Sequence, residues 1–337
     1  MTTNTYSPPL TTAIRAEGEL RVGIAQIAPV WLDRTQTTVK ILSSMQQAAS
    51  EAVEILAFGE ALLPGYPFWV DATDGAKFES PLQKELFAHY AHEAVCIERG
   101  DLSAILEKAK ELQMMVILGC VECPTGRGGH SLYCSLVTIS TQGEILSVHR
   151  KLMPTFEERL VWSIGDGHGL KTHPYKSFTI GSLNCWENWL PLVRSALYGQ
   201  GEDVHIAVWP GGERNTRDIT RFLALESRSY ILSASGLLRL EDIPTHIPHS
   251  NLLREAFAEH PLVADGGSCI AAPDGSWLIE PSVGEERCIV ATLDHAFIRR
   301  ERQNLDISGH YSRPDVVQLS LNPTRQAILH IAPPHHR

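Results

Sequence analysis

Phe178-Thr-Ile-Gly-Ser-Leu-Asn-Cys-Trp-Glu-Asn-Trp-Leu-Pro-Leu-Val-Arg-Ser-Ala-Leu-Tyr198 is the stretch on which the reading of this chain turns. It begins as a strand, with Phe178, Ile180 and Leu183 set among smaller residues. It ends as a helix, with Leu190, Val193, Ala196 and Leu197 at helical spacing. Pro191 suits a first helical turn, where its missing N–H is not needed. Gly199 and Gly201 follow and stop the helix. Cys185 therefore falls where strand gives way to helix. Free N–H groups at a helix start favour an anion there. The expectation is a thiol whose pKa is lowered, with the thiolate as nucleophile. A sharp strand-to-helix turn also lifts its side chain above the sheet, as in a serine nucleophile elbow. The competing reading is an inert buried thiol, since free cysteine is among the most buried residue types.

On either side of this stretch, strands and helices alternate. The pattern predicts strands at 20–27, 53–58, 115–121, 132–140, 144–149, 204–209 and 230–235, with shorter ones near 269, 277 and 288–293. Helices are predicted at 35–52, with threonines available to cap the start, within 80–112, and at 215–229. Alternation of this kind implies an α/β sheet covered by helices, and the hairpins make it mixed. Residues 1–19 read as a polar extension, 20–311 as one domain, and 312–337 as a Pro-rich tail, mobile or engaged by a partner.

The chain has 337 residues, 43% hydrophobic and 20% charged, enough to bury a substantial core. Its formal net charge is -10, with no long basic run, which argues against nucleic acid as a main partner and gives no attraction to an anionic membrane. No apolar window reaches the roughly 18 residues of a membrane span. The N-terminal segment lacks the apolar core of a signal peptide, so cytoplasmic residence is expected. Seven cysteines at irregular spacing do not suggest a disulfide framework. Cys120-Val-Glu-Cys123 ends a strand rather than opening a helix, so a pair of buried strand-end cysteines is preferred to a redox motif. Of the fifteen histidines, His89 and His92 share a helix face, but no further ligand is patterned with them, and His335-His336 lies in the tail. No metal and no cofactor are expected.

Three other segments place a polar residue just after a strand: Glu60 follows 53–58, Lys151 follows 144–149, and Glu158 lies seven positions beyond Lys151, beside Glu157. Ligand sites of open α/β sheets lie beyond strand ends. Spacing alone does not bring these residues to Cys185. Each taken singly also reads as a solvated loop or surface residue.

Taken together, the blocks Phe58-Gly-Glu-Ala-Leu-Leu-Pro-Gly-Tyr-Pro67, His149-Arg-Lys-Leu-Met-Pro-Thr155 continuing to Glu158-Arg159 and Gly165-Asp-Gly167, Asn184-Cys-Trp-Glu-Asn188 with Pro191, and Gly309-His-Tyr-Ser-Arg-Pro-Asp315 resemble the nitrilase (carbon–nitrogen hydrolase) superfamily. They occur in the family's order across roughly residues 20–317. Cys-Trp-Glu and the last block resemble the true nitrilase branch. The resemblance implies a four-layer αββα sandwich. It implies a catalytic triad of Glu60, Lys151 and Cys185 with Glu158 as a second acid, a homodimer or higher homo-oligomer that can extend into helical assemblies, and a small-molecule nitrile and water as reactants. In that chemistry Glu60 is the general base and Cys185 forms a thioimidate and then a thioester. Lys151 and the Trp186 backbone N–H meet the developing negative charge. Tyr66, Trp162, Trp186 and Trp189 are candidate pocket walls, and His130 a candidate pocket residue from a loop. An amidase or a cyanide-hydrating relative would use the same triad. A non-catalytic assembly scaffold is the alternative of another class.

Overall fold

We describe a computed structural model of the protein, over residues 18–329. The N-terminal extension up to residue 17 and the end of the tail, including His335-His336, lie outside the described residues. The first sheet holds strands Glu19–Gln26 (β1), Ile55–Phe58 (β2), Met115–Glu122 (β3), Tyr133–Ile139 (β4) and Ile145–Arg150 (β5). The second holds His173–Tyr175 (β6), Phe178–Asn184 (β7), Val204–Trp209 (β8), Tyr230–Ser235 (β9), Leu237–Arg239 (β10), Leu262–Ala271 (β11) and Trp277–Val283 (β12), while Arg287–Asp294 (β13) returns to the first. The orders are β13-β1-β2-β3-β4-β5 and β10-β11-β9-β8-β7-β6, with β12 beside β11. In each sheet three neighbouring strands run parallel, β1-β2-β3 and β7-β8-β9, and antiparallel strands flank them.

The helices are Arg34–Ser50 (α1), Trp69–Ala72 (α2), Pro81–Glu93 (α3), Ser103–Leu112 (α4), Pro191–Tyr198 (α5), Glu213–Ser227 (α6), Ser250–Ala256 (α7) and His295–Arg302 (α8). Asp33 caps α1 by accepting from Gln36 N at 2.9 Å, in place of the threonines expected to do so. The span 80–112 splits into α3 and α4, and Ser80 with Pro81 opens α3. The short strands β6 and β10 and the helices α7 and α8 carry too few periodic positions to be read from sequence.

Period-two alternation sorts each central strand between two apolar faces. Ile55 and Ala57 of β2, Met115 and Ile117 of β3, and Val204, Ile206 and Val208 of β8 meet in a core between the sheets. On the far side of the first sheet, Leu56, Phe58, Val116 and Leu118 pack on Ile41, Met45 and Ala48 of α1 and Ile105 and Ala109 of α4. On the far side of the second, Ala207, Trp209 and Ile231 pack on Ile219, Leu223 and Ala224 of α6. The result is a four-layer αββα sandwich. Sheets covered on both faces explain the continuous apolar runs in the sequence.

The two sheets are bridged where β2 ends. Glu60 N donates to Trp209 O at 3.2 Å, bridging from one sheet to the other. Gly119 of β3 makes this possible: a Cβ there would lie 2.1 Å from Gly59 O, 2.8 Å from Ala61 N and 2.9 Å from Glu60 Cα. All three obstacles are backbone, so relief requires moving the segment that carries Glu60. Gly119→Ala is expected to lower unfolding free energy by about 1–3 kcal/mol through overpacking and to reduce turnover as Glu60 shifts. Urea denaturation beside an activity assay tests this, and a variant matching the parent in both would refute it.

Candidate active site

Three loops at strand ends converge. Glu60 comes from the loop after β2. Lys151 directly follows β5, and its N–H donates to Cys134 O at 2.8 Å. Glu158 sits in a 3-10 turn, Phe156–Leu160, and closes a capping box with Thr155, whose N–H donates to Glu158 Oε2 at 2.6 Å. Cys185 follows β7. The predicted helix start there is instead a 3-10 turn, Cys185–Trp189, and α5 begins only at Pro191. A residue before proline avoids the α region, and Leu190 is extended at φ -91°, ψ 106°. Each of these loops holds a non-glycine residue at positive φ: Ala61 at 50°, Phe156 at 42° and Cys185 itself at 41°. Such strain gathers at functional sites and persists only where the surroundings enforce it.

Lys151 lies at the centre, 1% exposed. Its Nζ donates to Glu60 Oε1 at 2.9 Å and to Glu158 Oε1 and Oε2 at 2.9 and 2.7 Å. A carboxylate oxygen of Glu60, one of Glu158 and the Cys185 sulfur all lie within 4.8 Å of one another. Glu158 also accepts from Tyr66 Oη at 2.8 Å, so its oxygens are well satisfied. Glu60 is less so: besides Lys151 it receives the Cys134 thiol, with Sγ to Oε1 at 3.5 Å, and no described protein group bonds Oε2. Burial pushes the Glu60 carboxyl up to about 7, Lys151 opposes that rise, and Glu158 adds to it. Burial alone would lower Lys151, but the carboxylates overcome it and hold the ammonium well above its ordinary value.

The thiol departs from expectation. Burial pushes Cys185 well above the ordinary thiol range, and the charges of Glu60 and Glu158 add to this. Lys151 and a hydrogen bond from the Trp186 backbone N–H pull the other way without prevailing. The sequence argument for a lowered pKa assumed a helix dipole aimed at sulfur, but α5 starts six residues later, and two carboxylates face the thiol. At rest the sulfur keeps its proton.

The structure brings Glu60, Lys151, Glu158 and Cys185 together. Glu157 stands apart from Lys151, with Oε1 3.4 Å from Tyr66 Oη. Tyr66 borders the cluster, and Trp162 packs edge-on to it, with centroids 5.5 Å apart and its ring 5.8 Å from Lys151 Nζ. Trp186 and Trp189 turn their indoles outward, 54% and 46% exposed. His130 is exposed, and no described hydrogen bond or ion pair ties it to the cluster. Glu60, Glu158 and Cys185 form the donor group among the described residues whose spacing could hold a metal ion. Lys151 already stands between the two carboxylates, and its fixed positive charge would repel a second cation. His89 bonds Leu32 O at 2.9 Å, away from any such set. All seven cysteines, Cys120 and Cys123 included, are free.

The sequence reading missed the polar frame behind the cluster. Glu187, 1% exposed, accepts from Asn184 N at 3.0 Å, Leu152 N at 2.6 Å and His149 Nε2 at 2.9 Å. Burial would raise its carboxyl, yet His149 and these N–H donors hold it below the usual range. It thereby ties the Cys185 loop to the residue after Lys151. Asn184-Cys-Trp-Glu187 is a capping-box spacing, a signal present in the sequence. In the tail, Arg325 and Gln326 fold back on Asp166, at 3.1 and 2.9 Å, and Gly165 N donates to Lys151 O at 2.8 Å.

The carbon–nitrogen hydrolase family profile matches residues 21–303. The chain belongs to the carbon–nitrogen hydrolase family. It is 36% identical over 306 residues to a "Nitrilase 2" from an unknown prokaryotic organism, covering 90% of this chain and 93% of that one. It is 31% identical over 306 residues to "Nitrilase 2" of Arabidopsis thaliana, covering 90% and 88%. These relatives place it on the nitrilase branch. Among solved structures, a carbon–nitrogen hydrolase from Helicobacter pylori G27 superposes with a TM-score of 0.66 at 18% identity, over 88% of this chain and 97% of the other, which shows the shared fold.

A Glu60 carboxyl near 7 has a kinetic consequence. A general base acts only when deprotonated, so if Glu60 has the base role that the resemblance implies, kcat/KM is expected to fall about tenfold per pH unit below about pH 7. A pH profile checks this, and full activity down to pH 5 would contradict it.

Proposed function

We propose that this protein is a nitrilase, converting an organic nitrile and water to a carboxylic acid and ammonia at Cys185. The observation that carries the reading is the buried group of one thiol, two carboxylates and one ammonium drawn together at the strand ends.

The residue types suit each step. The Cys185 proton passes to Glu60 as sulfur bonds the nitrile carbon. The displaced electron pair collects on nitrogen, which then takes that proton, giving a thioimidate and restoring the Glu60 carboxylate. A water then adds to the same carbon, with Glu60 again taking the proton. Both water protons pass to nitrogen, one of them returned by Glu60, the C–N bond breaks, nitrogen leaves as ammonia, and a thioester remains. A second water releases the carboxylic acid as the C–S bond breaks and sulfur regains its proton. Lys151 and the Trp186 N–H meet the negative charge at each tetrahedral stage. Glu158, held by four hydrogen bonds from Tyr66, Thr155 and Lys151, keeps Lys151 aimed. Because the thiol is protonated at rest, nucleophile formation is coupled to attack rather than completed beforehand. Tyr66 and Trp162 border the reacting carbon in this reading.

The test measures products. Wild-type protein is incubated with aliphatic and aryl nitriles and with the matching amides, and ammonia and acid are quantified. Acid and ammonia from nitriles are expected, and turnover of amides alone would replace the nitrilase reading with an amidase one. Cys185→Ala is expected to lose all measurable turnover while keeping its circular dichroism spectrum.

A homodimer or larger homo-oligomer is part of the same proposal. It is supported by apolar side chains left open around α5 and α6: Leu192, 70% exposed, with Leu190, Phe222 and Leu225. Surfaces of this kind mark association sites. Leu192→Glu is expected to lower the assembly's mass in light scattering, and a wild type that runs as a monomer at micromolar concentration would exclude the idea. Cytoplasmic residence also remains a proposal, open to cell fractionation. Among the described residues, no helix is long and apolar enough to cross a membrane.

A further inference from the structure

Behind the nucleophile runs a second buried chain of polar groups. Asn188 Nδ2 donates to Cys185 O at 2.8 Å and faces Leu183 O at 3.4 Å. Carbonyl oxygens only accept, so the Asn188 amide nitrogen must point to them and its Oδ1 must accept from elsewhere. The donor is His205 Nε2, 2.7 Å away. The other ring nitrogen, Nδ1, lies 2.9 Å from Glu202 Oε1, with a proton between them. Asn188, His205 and Glu202 are all 1% exposed or less. The backbone makes room for this chain: Gly181 pairs directly with His205 across β7 and β8, and a Cβ on Gly181 would lie 1.8 Å from Glu202 Oε1. Arg194 of α5 fixes the Asn188 backbone from the other side, Nη1 to O at 2.9 Å.

The consequence follows from peptide planarity. The Cys185 carbonyl and the Trp186 N–H belong to one rigid trans unit and point in opposite directions. Pulling the carbonyl back into the interior therefore turns the N–H forward, to the side where the Cys185 sulfur lies. Cys185 also has a strained φ of 41° that its surroundings must enforce.

We propose that Glu202, His205 and Asn188 are positioning residues: a buried relay that locks the Cys185–Trp186 peptide so that the Trp186 N–H faces the carbon under attack. This rests on the reading of Cys185 as nucleophile. The relay touches no reacting atom. Its effect is confined to charge stabilisation at the tetrahedral stages, where one oxyanion-type donor is worth about 10²–10³ in kcat.

The test separates hydrolysis from thiol reactivity in the full-length chain. His205→Leu removes the donor to Asn188, and Asn188→Asp removes the donor to the carbonyl at nearly constant shape. His205→Gln retains an N–H able to reach Asn188. Each is assayed for ammonia release from whichever nitrile or amide the wild type turns over. Each is also assayed for alkylation of Cys185 by iodoacetamide, a displacement at saturated carbon that needs no stabilised oxyanion. His205→Leu and Asn188→Asp are expected to lose about 100-fold or more in kcat, with KM and the alkylation rate within about threefold of wild type. His205→Gln is expected to recover most of the loss. Alkylation that falls in parallel with hydrolysis would overturn the proposal, because the relay would then support the sulfur or the fold at large. Wild-type kcat in His205→Leu or Asn188→Asp would overturn it as well. If His205→Leu does not fold, Asn188→Asp and His205→Gln decide on the same criteria. Failure of the underlying reading is recognised separately: Cys185→Ala, with the relay intact, would still hydrolyse.

Discussion

One buried ammonium held between two carboxylates sets the conditions for everything around it. Removing an ion from water costs several kcal/mol even after relaxation, and breaking a buried pair leaves an uncompensated charge. Lys151 therefore cannot sit at the end of β5 without Glu60 and Glu158, and they cannot be buried without it. Two carboxylates against one ammonium leave a surplus negative charge. Glu158 is satisfied by Tyr66, Thr155 and Lys151, while Glu60 keeps an oxygen without a donor among the described residues. Burial therefore bears hardest on Glu60, whose carboxyl it pushes up to about 7 against Lys151, with the Glu158 charge adding to the rise. The groups are close enough that their titrations belong to the cluster as a whole.

The fold delivers these groups by spending regularity at strand ends. Three loops accept a non-glycine residue at positive φ, and Gly119 gives up its side chain so that the backbone at Glu60 can pass. Behind the loops, the frame is polar rather than apolar. Glu187 with His149 ties the cysteine loop to the lysine loop, and Asn188 with His205 ties it to β8. Hydrogen bonds suit this task because they are directional. An apolar core of equal volume would tolerate rotation of the 185–186 peptide.

A mixed α/β sheet covered by helices was legible because apolar strand runs such as Ile55 to Phe58 alternate with helices such as α6 that carry an apolar stripe, whereas the four-layer sandwich came only with the family resemblance. The clustering of Glu60, Lys151, Glu158 and Cys185 was not legible from spacing. Those residues are up to 125 positions apart, and only the resemblance of whole blocks joined them. Two errors have specific causes. A helix was started at Cys185 because the apolar spacing begins nearby, whereas Pro191 forces Leu190 to be extended and delays α5. The thiol was expected to be acidic because a helix dipole is a local feature, readable from sequence, while the opposing carboxylates arrive from distant segments. Glu187, His149, Asn188 and His205 escaped notice for the same reason: a buried carboxylate or imidazole looks like a surface one until its partners are known.

These features bear on why a protonated thiol suits this site. In the proposed reaction, the surplus charge moves from Glu60 to sulfur, to the substrate nitrogen or oxygen, and back, while the total held near Lys151 stays constant until ammonia leaves. A buried site favours such a sequence, since moving one charge among neighbouring atoms avoids the desolvation cost of creating a new one. A resting thiolate beside two carboxylates would instead add a second uncompensated charge in the same small volume. The raised thiol and the raised carboxyl are thus two expressions of one constraint. Proton transfer from Cys185 becomes favourable only when an electrophilic carbon is present to take the sulfur electron pair, with Lys151 and the Trp186 N–H in place to receive the charge that carbon passes on.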